Sequence, residues 1–289
     1  MKRIRQIIYC TMAMLGFWSC EENISIEPEA KILENLSEAD IVALQKAGVS
    51  PDNAFYDTIK RLDGTINRVI RAGDVVLRVD KLDEYVLSNN KNVKRYGSNN
   101  LVSYSNRVIR IIGYTGPGLG LSPKMQTGLR WAVNNYNRLN TSLDFRLFFN
   151  NNPRVFDSDN DDKGSIIVFS GKTNDTGGVA EFPANGIPGR FIQLFGGNQE
   201  LSNNVNEHII THKIGHAIGL RHMDYMFEKC GYDEDSSKLY KTEAIAVSGV
   251  QTIIKSKTND SDSVMISCFD GTEDGEFSDI DIAILESLY

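Results

Sequence analysis

His212, His216 and His222 are the residues whose types and spacing could do chemistry. His212 and His216 stand four apart in a helical pattern, so one helix face presents both imidazoles to a single ion. Gly219 can take a positive φ and end that helix, and the turn it makes lets His222 swing back as a third nitrogen ligand. Three protein nitrogens leave the fourth position of a zinc ion open, the arrangement of a catalytic rather than a structural site. A metal so exposed lowers the pKa of bound water or polarises a carbonyl. His208, the remaining histidine, lies one turn before His212 and reads as packing or as support for a ligand.

One residue is wrong for hydrolysis. In the zinc-peptidase pattern HExxHxxGxxH, the residue after the first histidine is the glutamate that takes a proton from the zinc-bound water, and here that position holds Lys213. An ammonium cannot accept a proton, and its charge opposes that of a dication. General-base help is typically worth a factor of about 10² to 10⁴, so negligible hydrolysis is expected, with activity gained on exchanging Lys213 for glutamate.

The run THKIGHAIGLRHMDY, with Ser263-Val264-Met265-Ile266 about forty residues later, resembles the bacterial HEIGH-type zinc metallopeptidases, which belong with the metzincins. By analogy the resemblance covers about residues 107–289. It implies an α+β, metzincin-like fold: a twisted mixed sheet with a long backing helix, a zinc-binding helix and a small C-terminal lower half. It also implies Zn2+ held by His212, His216 and His222 over a turn carrying Met265. An edge strand bordering the cleft would pair with a peptide or protein substrate in extended conformation, and residues 178–182 are the candidate. Two functions stay open. One is a zinc metallopeptidase cleaving peptide bonds through a zinc-bound water; the other is an inactive homologue that binds peptide or protein as a surface lipoprotein.

The chain has 289 residues, 41% hydrophobic and 24% charged, enough for one sizeable core plus an appendage. Its net charge of -7 and the lack of basic runs beyond the N-terminus argue against a nucleic-acid partner. Residues 1–19 read as a lipoprotein-type signal peptide: Lys2, Arg3 and Arg5, then an apolar stretch too short to span a membrane, then Ser19 before Cys20. Cys20 would carry lipid and tether the chain to an outer membrane or cell surface, with Glu21 and Glu22 resembling a surface-export signal. The alternative is an ordinary secretory peptide and a secreted protein. Cys10 leaves with the signal, so Cys230 and Cys268 form an even pair in an oxidising space. A bridge between them would contribute on the order of 4 kcal/mol if unstrained.

Residues 20–106 read as a separate N-terminal region, a tether, a small packing subdomain or a pro-segment, ending in a linker. Ser37 opens a helix stopped by Gly48, a second helix is expected over residues 54–62, and residues 74–79 read as a strand. The Asn- and Ser-rich stretch from 88 to 106 lacks periodicity. The metallopeptidase-like domain, 107–289, begins with an alternating strand over 107–112. The glycine-rich turn after it lacks the ending of a phosphate loop. Ser122-Pro123 caps a long helix with Met125, Leu129, Trp131, Ala132, Val133 and Tyr136 on its apolar face. Strands are expected at 142–149, 165–169, 179–182 and 191–195, and the histidine helix from Asn203 or Asn204. Residues 223–276 read as mostly loop, with 238–247 a candidate helix. Ser278 caps a C-terminal helix whose acidic first turn, including Asp281, suits the helix dipole. The aspartates from Asp157 to Asp162 could hold Ca2+ or form a solvated loop, without the spacing of an EF-hand.

Overall fold

The computed structural model describes residues 35–86, 100–153, 164–222, 262–267 and 271–289. Helix α1 (Glu38–Ala47) starts where the Ser37 hydroxyl accepts the Asp40 N–H and stops at Gly48, which takes φ 72°. Strands β1 (Phe55–Lys60), β2 (Ile66–Ala72) and β3 (Val75–Arg78) follow as an antiparallel meander. The strand β1 replaces the helix expected over residues 54–62. Its aromatic and β-branched residues suit a pleated surface, and Asp63-Gly64, with Gly64 at φ 88°, is a hairpin turn rather than a helix stop.

A short helix α2 (Leu82–Val86) precedes β4 (Val108–Tyr114), the long helix α3 (Pro123–Asn137) and β5 (Asp144–Asn150). Then come β6 (Ser165–Ser170), β7 (Gly178–Glu181), β8 (Phe191–Leu194), the histidine helix α4 (Asn203–Ile218) and the C-terminal helix α5 (Asp279–Leu288). The caps predicted for α3 and α5 are present, Ser278 and Asp281 forming a full capping box. Trp131 departs from the predicted apolar face of α3 and lies 37% exposed.

All the strands among the described residues belong to one eight-stranded mixed sheet, in the order β1-β2-β3-β7-β8-β6-β4-β5. This α+β architecture, a mixed sheet backed by α3 and the histidine helix, is the expected one. Alternation divides the apolar residues between its faces. Ile109, Ile111, Ile166, Val168 and Ile192 join the core beneath α3, α4 and α5, while Ile112, Tyr114, Ile167, Phe169 and Phe191 form a second cluster. Gly128 lets α3 approach α4 closely: a Cβ there would lie 2.7 Å from the Glu207 backbone nitrogen.

One sequence expectation changes here. Strands β1, β2 and β3, in the region read as separate from residues 107–289, extend the same sheet, and the described residues fall in one unit, Glu34–Tyr289. β7 is not an edge strand: β3 pairs with it in parallel, Val75 opposite Ala180 and Val76 opposite Glu181. The reason is local. Asp74, Val76 and their partners supply the backbone acceptors that Ala180 and Phe182 need, at 2.9 and 3.0 Å, and Val75 and Leu77 share a small core with Leu44, Tyr85 and Phe182.

Candidate metal centre

Helix α4 carries the centre. Ser202 caps it by accepting the Val205 N–H at 3.2 Å, and Gly219, at φ 107°, closes it as the glycine predicts. The turn is pinned by the Gly219 N–H on the His216 carbonyl and the Leu220 N–H on the Gly215 carbonyl, at 3.0 and 2.9 Å. His222 thereby comes back over the face that bears His212 and His216.

The three imidazoles converge through Nε2. Those atoms lie 2.8 Å apart for His212 and His216, 3.1 Å for His212 and His222, and 3.2 Å for His216 and His222. His212 Nδ1 is 2.8 Å from the Val264 carbonyl and His216 Nδ1 is 2.9 Å from the Leu220 carbonyl. A carbonyl only accepts, so each Nδ1 must donate, and the converging Nε2 atoms of both rings carry lone pairs. Bare nitrogens so close repel one another unless a cation lies among them. Burial, with Lys213 and His216 adding to it, holds His212 well below the ordinary histidine range, and burial also lowers His216. Both are therefore neutral at pH 7, the form that ligates metal.

A fourth group joins them. Asp74, in the turn between β2 and β3, places Oδ2 3.0 Å from His212 Nε2 and Oδ1 3.2 Å from the Nε2 atoms of His216 and His222. Ligand atoms of all four residues lie within 4.8 Å of one another. Zinc bonds of about 2.0–2.1 Å in a tetrahedron put ligand atoms roughly 3.3 Å apart, so the residues present fit that metal. Nothing in the sequence marks Asp74. It stands at the head of a strand, 148 residues from His222, in no motif.

Lys213 is buried, 6% exposed, and its ammonium contacts Asp74 Oδ2. Burial by itself would raise the Asp74 carboxyl, but the Lys213 ammonium beside it holds it well below the usual carboxylate range. His208, whose ring centre is 6.4 Å from that of His212, stays outside the group of four.

Met265 lies against the helix between the ligands. A Cβ on Gly215 would come within 2.5 Å of its Sδ. The turn is held by Asp281, whose carboxylate accepts the Ser263 hydroxyl at 2.6 Å and the Val264 N–H at 2.8 Å. Asp281 thus acts beyond its helix cap, a role its sequence position does not reveal. On the far side, the Tyr136 hydroxyl donates to the Thr211 carbonyl at 2.9 Å.

Cys20, Cys230, Cys268, the aspartates from 157 to 162 and residues 238–247 lie outside the described residues. No calcium site is therefore placed on those aspartates.

A family model described as dual-action HEIGH metallo-peptidase matches residues 69–289, so it begins within β2 and includes Asp74. No curated protein matches the chain. Two solved structures of myroilysin are similar at 12% identity: one has a TM-score of 0.36 over 63% of this chain and 79% of that one, the other 0.34 over 69% and 87%.

Proposed function

Since the chain belongs to the dual-action HEIGH metallo-peptidase family, we propose that it is a zinc-binding member in which His212, His216 and His222 hold the metal and Lys213 leaves peptide hydrolysis without its general base. The observation that carries this reading is the convergence of three Nε2 atoms within 3.2 Å. Zinc, when bound, supplies Lewis-acid activation of water or of a carbonyl.

The chain's own residues then divide the work. The Val264 and Leu220 carbonyls orient His212 and His216, Gly219 turns the chain for His222, and Met265 supports α4 from beneath. Lys213 is committed to an ion pair and offers no lone pair for a proton. That commitment favours a second reading, an inactive homologue that binds a peptide or partner protein. A peptide pairing with β7 would have to displace β3, which already lies along that strand.

The same proposal includes export, with Cys20 as lipid anchor or a secreted chain in its place, and a Cys230–Cys268 bridge that non-reducing peptide mapping would detect as one linked peptide. Metal analysis tests the central claim. The purified chain should carry one zinc per molecule and His216→Ala none; stoichiometric zinc in His216→Ala would remove the basis for the site.

A further inference from the structure

The centre has four corners, and the chain fills them all. Asp74 reaches the three imidazole nitrogens at 3.0 to 3.3 Å, close to the 2.8 to 3.2 Å that separates the nitrogens from one another. Its backbone is fixed as well, since its carbonyl accepts the Ala180 N–H at 2.9 Å. The turn between β2 and β3 thus stands at the place where a catalytic site keeps its open position.

Lys213 explains why a carboxylate can sit there. A buried ammonium needs a counter-ion, and Asp74 Oδ2 is in contact with it. A glutamate at 213 would instead put two carboxylates side by side, which could not both stay ionised beside the same histidines. The same residue that removes the general base therefore supplies the positive partner for the fourth ligand.

We infer that Asp74 is the fourth protein ligand of the metal and that Lys213 is the positioning residue that holds it there, making a closed His₃Asp centre out of a site of catalytic type. This rests on the zinc reading above. The consequence is a metal that no water or exogenous ligand reaches while the turn is in place, with β3 also covering β7. The centre then serves to fasten the β2–β3 turn to helix α4.

Cobalt(II) is the probe, bound to the full chain in the native sequence and in Asp74→Ala, Asp74→Asn and Lys213→Met, with visible absorption followed during titration with azide. The native chain should bind one cobalt with a spectrum that azide leaves unchanged. Both Asp74 variants should still bind cobalt through the three histidines, roughly tenfold or more weakly, and their spectra should shift with azide. Lys213→Met, with Asp74 intact but unheld, should also become azide-responsive. Asp74→Asn keeps the shape of the turn, and circular dichroism on each sample establishes that it is folded. The same azide response in the native chain and both Asp74 variants overturns the assignment of Asp74. An azide-inert Lys213→Met beside responsive Asp74 variants overturns the role of Lys213. Failure of the folded native chain and both Asp74 variants to bind cobalt overturns the zinc reading itself, and the closed centre with it.

Discussion

His212 Nδ1 lies 2.8 Å from the carbonyl of Val264, a hydrogen bond that joins the histidine helix to the methionine turn. The N–H of that same Val264 is held at 2.8 Å by Asp281, at the start of the last helix. The orientation of the His212 imidazole is thereby tied to the C-terminal helix.

The first expectation concerns that tie. Asp281→Ala leaves the Ser263 hydroxyl proton without its acceptor and the Val264 N–H without its carboxylate, and removes half of a capping box. Hydrogen bonds to a charged group contribute about 1.5–3 kcal/mol each, and a domain of this size loses roughly 2–4 °C per kcal/mol. Thermal melting should fall by several degrees, and Asp281→Asn should recover part of the loss. An unchanged midpoint in the alanine variant would show that the turn holds without it.

Packing beneath the ligands gives a second. Gly215→Ala drives a methyl group against Met265 and should destabilise by about 1–3 kcal/mol despite alanine's better helix propensity. Met265→Ala should cost about 2–5 kcal/mol alone, yet the double variant should lose less than the sum, because the new methyl fills space the sulfur vacated. Strict additivity in denaturant unfolding would argue that the two residues do not share that space.

Hydrolysis is the third. Sequence alone suggests that Lys213→Glu suffices to create activity, but Asp74 changes that expectation. Lys213→Glu frees Asp74 as Lys213→Met does, yet the carboxylate still competes for the metal, so the single variant should cleave an unfolded protein substrate more slowly than Asp74→Ala combined with Lys213→Glu, which should exceed Asp74→Ala by about 10² to 10⁴, the usual worth of a general base. Equal, chelator-sensitive cleavage by the single and double variants would place Asp74 off the metal.

The fourth concerns acid and base. Burial pushes the Glu207 carboxyl from 4.5 up to about 7, with Glu276 and Asp274 adding to the rise and the Asn135 amide and Arg138 opposing it. Between these values the unfolded chain releases the proton and the folded chain keeps it, so stability falls as pH rises through the window and levels off above about 7. The effect is bounded at roughly 3 kcal/mol. Melting of Glu207→Gln should decline less than that of the native chain from pH 5 to pH 7. Parallel curves for the two proteins would assign the pH dependence to other groups.

The histidine helix, its glycine stop, the caps of α1, α3 and α5 and the central strands were legible in the sequence because each depends on neighbours a few residues away. Spacing of four puts two rings on one helix face whatever the rest of the chain does. The run at residues 55–60 is ambiguous for a related reason: Phe55, Tyr56, Thr58 and Ile59 are compatible with either element until a partner strand chooses, and β2 is that partner.

What local pattern cannot contain is which distant segments meet. Asp74 and Lys213 are 139 residues apart, and no periodicity links an acidic residue in a hairpin turn to a lysine on a helix. Their meeting follows from β3 lying along β7, which removes the open edge that the family resemblance implies and brings the β2–β3 turn to the histidines. The sequence by itself determined the convergence of His212, His216 and His222, through helical spacing and a glycine stop, and the lysine where a general base would stand. Tertiary structure alone decided that Asp74 meets them, because only the long-range pairing of strands sets which carboxylate a buried ammonium finds.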